Sequence, residues 1–284
     1  MWWFQEGLCI LPVALVLWTT ATFIFDYITA VVLRHVDPLV PYISDTGTVA
    51  PERCVFGIML DMSAFLGVAT VYVRYKQVQA LTDEEESKLH KLNILGLVLG
   101  WTSSFGMCIV ANFQKTTLFF MHLVGATLTL GVGALYILVQ TLVSLYMQPH
   151  VHGKSIFWVR LSIGVWTFLL PVVLLDFFSV FVSSVIMYSS LPGVDVAHKL
   201  HWIPGETGYI PHIISTISEW SLALSFVSFF LTYIRDFQVL QATFKITLRA
   251  EADLRSNHMY DSPHYRITTP LNQSVTSPLL AGGI

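Results

Sequence analysis

LCILPVALVLWTTATFIFDYITAVVL, residues Leu8 to Leu33, runs for 26 residues with Asp26 as its one charged side chain before the stretch ends. A helix that crosses a bilayer needs about 20 mostly apolar residues, so this stretch predicts a span. The preceding MWWFQEG carries no Lys or Arg, and the run exceeds the ~7 to 15 residues of a signal-peptide core, which predicts a retained first helix. Five more stretches meet or approach the same length: Val55 to Val73, Asn93 to Ala111, Thr117 to Met147, Ile156 to Tyr188 and His212 to Ile234. The predicted fold class is therefore all-α, a polytopic membrane protein with six transmembrane helices in one bundle. The bundle takes residues 1–234, a juxtamembrane amphipathic segment 235–255, and a Ser/Thr/Pro-rich disordered tail 256–284. The fourth and fifth runs are overlong and predict tilt, and Pro171 predicts a kink in the fifth.

Composition points the same way. Hydrophobic residues make up 54% of the chain against 12% charged, with a mean hydropathy of +0.65, which excludes a soluble core. The net charge of -3 provides no basic field, so nucleic acid is excluded as a partner. Cys9, Cys54 and Cys108 are too few and too scattered for a disulfide framework or a metal site, although one bridge between Cys54 and Cys108 stays open.

Lys and Arg set the orientation. Eleven of fifteen fall on one side: Arg74, Lys76, Lys88, Lys91, Lys154, Arg160, Arg235, Lys245, Arg249, Arg255 and Arg266. Only Arg34, Arg53, Lys115 and Lys199 fall on the other, so both termini are predicted cytosolic. The connection PYISDTGTVAPE (Pro41 to Glu52) and the stretch Ser189 to Pro211 then face the lumen or exterior. Asn272-Gln273-Ser274 is a sequon on the cytosolic side, predicted to stay unglycosylated. Trp2, Trp3 and Trp158 fit an interfacial belt on one face and Trp202 on the other.

Acids inside apolar runs carry the sharpest signal, because each costs on the order of 2.5 to 3.5 kcal/mol at mid-bilayer. Asp26, Asp61 and Glu219 lie about 10 Å below the predicted lumenal helix ends, Asp176 lies deeper, and His122 enters from the same face. Together with Tyr42, Ser44, Asp45, Thr46 and Glu52 of the connection they define a candidate lumenal binding pocket. The alternative reading, that each acid hydrogen-bonds a neighbouring helix, stays open. No catalytic motif, metal ligand set or cofactor fingerprint is present, and the lone D-T-G at Asp45 reads as a turn with Asx capping. Gly96, Gly100 and Ser104, and Gly125, Thr129 and Gly133, recur every fourth residue and predict close helix packing. In the tail, Phe237 and Leu240 fit a short aromatic-x-x-aliphatic motif for a partner's sheet edge. Leu279-Leu280 is similar to a sorting dileucine without its upstream acid. Expected partners are membrane lipids and, through the cytosolic tail, sorting machinery; the sequence does not set the oligomeric state.

PYISDTGTVAPE, YVRYKQV (Tyr72 to Val78), IVANFQKTTLF (Ile109 to Phe119), KLHWIP (Lys199 to Pro204), Glu219-Trp220 and FLTYIRDFQ (Phe230 to Gln238) closely resemble the DNA-damage-regulated autophagy modulator (DRAM) family. The resemblance runs to about Leu254. It implies a six-helix, non-enzymatic protein of lysosomal or related endomembranes that promotes autophagy, with links to cell death and photoreceptor maintenance. Of the candidate residues, the Pro41 to Glu52 connection and Glu219 lie in family blocks, whereas Asp26, Asp61 and Asp176 do not. Two other readings remain: a lipid-handling or lipid-remodelling membrane protein, and a proton-linked transporter.

Overall fold

The computed structural model describes residues 7–39, 41–82, 87–148, 154–168, 198–206 and 208–238. Among them every regular element is helical: α1 (Ile10–Val32), the single turn α2 (Ile43–Thr46), α3 (Glu52–Ala80), α4 (Ser87–Asn112), α5 (Phe119–Ala126), α6 (Gly133–Tyr146), α7 (Lys154–Phe168) and α8 (Tyr209–Leu231). A π-helical turn, Thr127–Val132, joins α5 to α6, and helix resumes after α8 to give one span of Tyr209–Gln238. Among the described residues five helices are long and apolar enough to cross a membrane: α1, α3, α4, Phe119–Tyr146 and Tyr209–Gln238. The fifth predicted span is described only as the 15 residues of α7. Its remainder, with Pro171 and Asp176, lies outside the described residues, as do Trp2, Trp3, Leu240, the sequon and the dileucine.

The α1 sequence explains which way its faces turn. Its buried residues Leu15, Val16, Thr19, Thr22, Asp26 and Ala30 recur at helical spacing, whereas Leu17, Ile24, Ile28 and Val32 on the other faces are exposed. Polar groups point inward and branched aliphatics outward, the pattern that lipid as solvent demands. Nor is hydrophobic exclusion available to hold such helices together, so close packing does it. A Cβ on Gly125 would stand 2.9 Å from the Val110 nitrogen, and one on Gly106 would stand 2.9 Å from the Gly125 oxygen, so α4 and α5 touch backbone to backbone. The small-residue spacing read from the sequence is thus used within the bundle.

Two boundaries differ from expectation. The α3 helix begins at Glu52, three residues before its apolar run, and continues to Ala80. Near its far end Arg74 and Gln77 are buried, because polar groups elsewhere in the bundle receive them. The last span likewise runs past Ile234 to Gln238, where the sequence predicted an amphipathic segment from 235. Phe237 is helical, fully buried and stacked on Tyr233 with ring centroids 6.0 Å apart. In this conformation it offers no extended strand to a partner's sheet.

Candidate functional site

At one end of the bundle the connection between α1 and α3 folds inward. The Ile43 amide donates to Glu219 Oε2 at 2.9 Å, the Trp220 indole to the Pro41 carbonyl at 2.8 Å, and the Tyr42 hydroxyl to Ser215 Oγ at 2.7 Å. These three bonds pin the backbone around α2 to the side of α8. Within the turn Thr46 Oγ1 donates to the Ile43 carbonyl and Thr48 Oγ1 to the Ser44 carbonyl. Asp45 makes no capping bond to α2. Its carboxylate forms an ion pair with Lys115 from the α4–α5 connection, and the same ammonium lies 5.4 Å from the centre of the Tyr42 ring. The Asx-capping expectation fails because a buried carboxylate gains more from a full cation than from a backbone amide. Burial pushes the Asp45 carboxyl above its ordinary range, and the Lys115 charge beside it offsets that only in part.

A third chain segment closes over this end. Asp37 accepts the Trp202 amide at 2.6 Å and His201 Nδ1 at 3.1 Å. Trp202 is buried and stacks on His212 at 4.4 Å, with Lys199 over its other side at 4.3 Å from the ring centre. The interfacial role predicted for Trp202 is therefore corrected: a partner ring inside the protein outcompetes the membrane surface for the indole. A space of about 20 Å³ lies among Asp37, Asp45, Trp202 and His212, room for about one water.

The remaining candidates are distributed as follows. His35 Nδ1 donates to Glu52 Oε1 at 2.6 Å. The Glu52 carboxylate acts electrostatically on Asp26, which is fully buried and makes no hydrogen bond through either oxygen. His122 donates through Nδ1 to the Phe113 carbonyl at 2.7 Å. Asp61 is half-buried and takes the Asn112 amide at 3.0 Å on both oxygens, an α3–α4 contact. Ser44 side-chain bonding is absent among the described contacts. The structure thus brings Tyr42, Asp45, Thr46 and Glu219 together through α2, places Glu52 with Asp26 and His35, and holds Asp61 and His122 by separate neighbours. Cys54 and Cys108 are both free thiols.

The opposite end holds a polar cluster that sequence reading missed. Asp236 Oδ2 accepts Arg74 Nη1 at 3.0 Å and Arg160 Nη2 at 2.5 Å, with both guanidinium side chains fully buried. Gln77 donates to the Asp236 carbonyl at 2.7 Å, Arg160 Nη1 to Ser144 at 2.8 Å, and the Tyr136 and Tyr233 hydroxyls meet at 2.8 Å. In the sequence Arg74 and Arg160 count only among the charges that orient the chain. The available signal is that Arg160 stands four residues inside an apolar run and Arg74 directly follows one, positions at which ions pair or line cavities.

Helices of bilayer length that turn charge inward and aliphatic carbon outward define a multi-pass membrane protein. Residues 7–240 match the family described as the Frag1/DRAM/Sfk1/Cwh43P N-terminal domain, and the chain belongs to that family, among its DNA damage-regulated autophagy modulators. It is 55% identical to DNA damage-regulated autophagy modulator protein 2 of Bos taurus and to that of Homo sapiens, in each case over 92% of this chain and 94% of the relative. Identity to protein 1 of Homo sapiens is 38%, over 89% of this chain and 98% of the relative. No solved structure matches the chain.

Proposed function

We propose that this protein is a non-enzymatic, six-span membrane protein of lysosomes or related endomembranes that promotes autophagy, with both termini cytosolic and the α2 end facing the lumen. The observation that carries the reading is 55% identity across nearly the whole of two relatives named as autophagy modulators. The excess of Lys and Arg on the connections opposite α2 supports the orientation. The cytosolic tail is the part available to sorting or autophagy machinery, and a link to cell death belongs to the same reading. Expression of the full chain in cells deleted for their own autophagy modulator proteins 1 and 2 tests it. Autophagic flux restored with the protein on lysosomal membranes is the expected result; correct placement on those membranes without any change in flux overturns it.

A further inference from the structure

Lys76 is exposed on the last turns of α3, four residues before its end at Ala80. A helix of 29 residues is about 43 Å long and overhangs a hydrocarbon core of about 30 Å at both ends, which sets the Lys76 ammonium at the depth of lipid head groups. The ammonium is held in place. It lies 5.9 Å from the centre of the Tyr72 ring and 5.6 Å from that of Tyr75, and it donates to Gln79 Oε1 at 3.0 Å. An ammonium has three N–H donors, and among the described residues no carboxylate pairs with this one. Deeper along the same helices the surface turns aromatic. Tyr72 is 45% exposed and stacks on Trp101 of α4, 42% exposed, with ring centres 6.4 Å apart and planes 27° from parallel. The Trp101 indole donates at 3.3 Å to the carbonyl of Val68, eight residues and about 12 Å deeper along α3 than Lys76. Its N–H is thus used inside the protein at hydrocarbon depth, whereas an anchor of the interfacial belt turns it toward water.

We propose that Lys76, Tyr72, Tyr75 and Trp101 form a binding site for an anionic phospholipid, whose phosphate meets the Lys76 ammonium and whose acyl chain lies along Tyr72 and Trp101. Charge complementarity selects the head group. A choline head group carries a cation of its own that competes for the same phosphate, whereas an anionic head group leaves it to Lys76. One N–H of the ammonium is engaged by Gln79, and two remain for phosphate oxygens. The tyrosine rings fix the ammonium before the lipid arrives, so less side-chain freedom is lost on binding. A soluble partner fits less well, because the Trp101 end of the strip lies where the surrounding medium is acyl chain. That the site belongs to the cytosolic leaflet rests on the orientation proposed above; the binding itself does not.

Native mass spectrometry of the full-length protein, titrated with phosphatidylserine or with phosphatidylcholine of the same acyl chains, tests the site. The parent should hold phosphatidylserine several-fold more tightly. Lys76→Gln should weaken phosphatidylserine roughly fivefold, the weight of one basic residue at an anionic surface, and leave phosphatidylcholine unchanged; Lys76→Arg should restore the preference. Tyr72→Leu keeps an apolar side chain in place but releases the ammonium, and should weaken phosphatidylserine about twofold or more. Lys76 and Tyr72 are both exposed, so these variants fold, and their unfolding midpoints check it. Equal binding of the two lipids by the parent shows annular lipid only and overturns the proposal. So does phosphatidylserine binding unaltered in Lys76→Gln, the result expected if an acid of the run Asp83 to Glu86, outside the described residues, takes the ammonium instead. Unaltered binding in Tyr72→Leu removes the rings from the site and overturns it as well. Autophagic flux is not read here, so failure of the lipid site and failure of the cellular role stay distinguishable.

Discussion

Lys115 is set against Asp45 of the α2 turn, and its side chain is almost as buried as the carboxylate it meets. Removing one member of a buried ion pair costs about 3–5 kcal/mol, most of it from the charge left behind. Lys115→Met should therefore lower stability by that order at neutral pH. The Asp45 carboxyl already stands above its ordinary range through burial, and without the cation it rises further. The deficit should then shrink as pH falls, because a protonated Asp45 needs no partner. Unfolding midpoints of parent and variant measured at pH 7.5 and 4.5 check both the size and the sign; a deficit that grows toward acid would contradict them.

At the scale of helices, the α4–α5 contact sets backbone against backbone, with main-chain atoms of each helix where the other's side chains would be. Gly125→Val puts branched carbon against the Val110 amide, which belongs to a helix and cannot rotate away. Overpacking of this kind costs about 1–3 kcal/mol, and the expected result is a lower unfolding midpoint with helix content retained at low temperature. An unchanged midpoint would show that the two helices are less closely joined. Such joints were legible because small residues at every fourth position have few other uses in lipid. Helix ends were less legible. Hydrophobicity stops at Val73, yet α3 runs on to Ala80, since Arg74 and Gln77 find partners on two other helices that no local window contains.

Across the whole molecule the two ends illustrate what sequence can and cannot reveal. Apolar runs located the five bilayer-length helices found among the described residues, because bilayer thickness acts on each run separately. The partners of the polar groups came from elements far apart in the chain: Ile43 with Glu219, Asp45 with Lys115, Arg74 with Asp236. Position along the apolar runs puts Asp26 in α1 and Glu219 in α8, but only the rotation of each helix decides whom they meet, and rotation is fixed by packing. The α2 connection is drawn inward onto α8.

This inward fold is the central structural claim, and amide hydrogen exchange across residues 41–52 of the full-length protein tests it most directly. The account predicts slow exchange at Ile43 and Asp45, within reach of that of the bundle helices, and a gain in exchange at Ile43 with Glu219→Ala, which removes its acceptor. Exchange at the rate of a free loop in the parent protein, unaltered by the substitution, would contradict it.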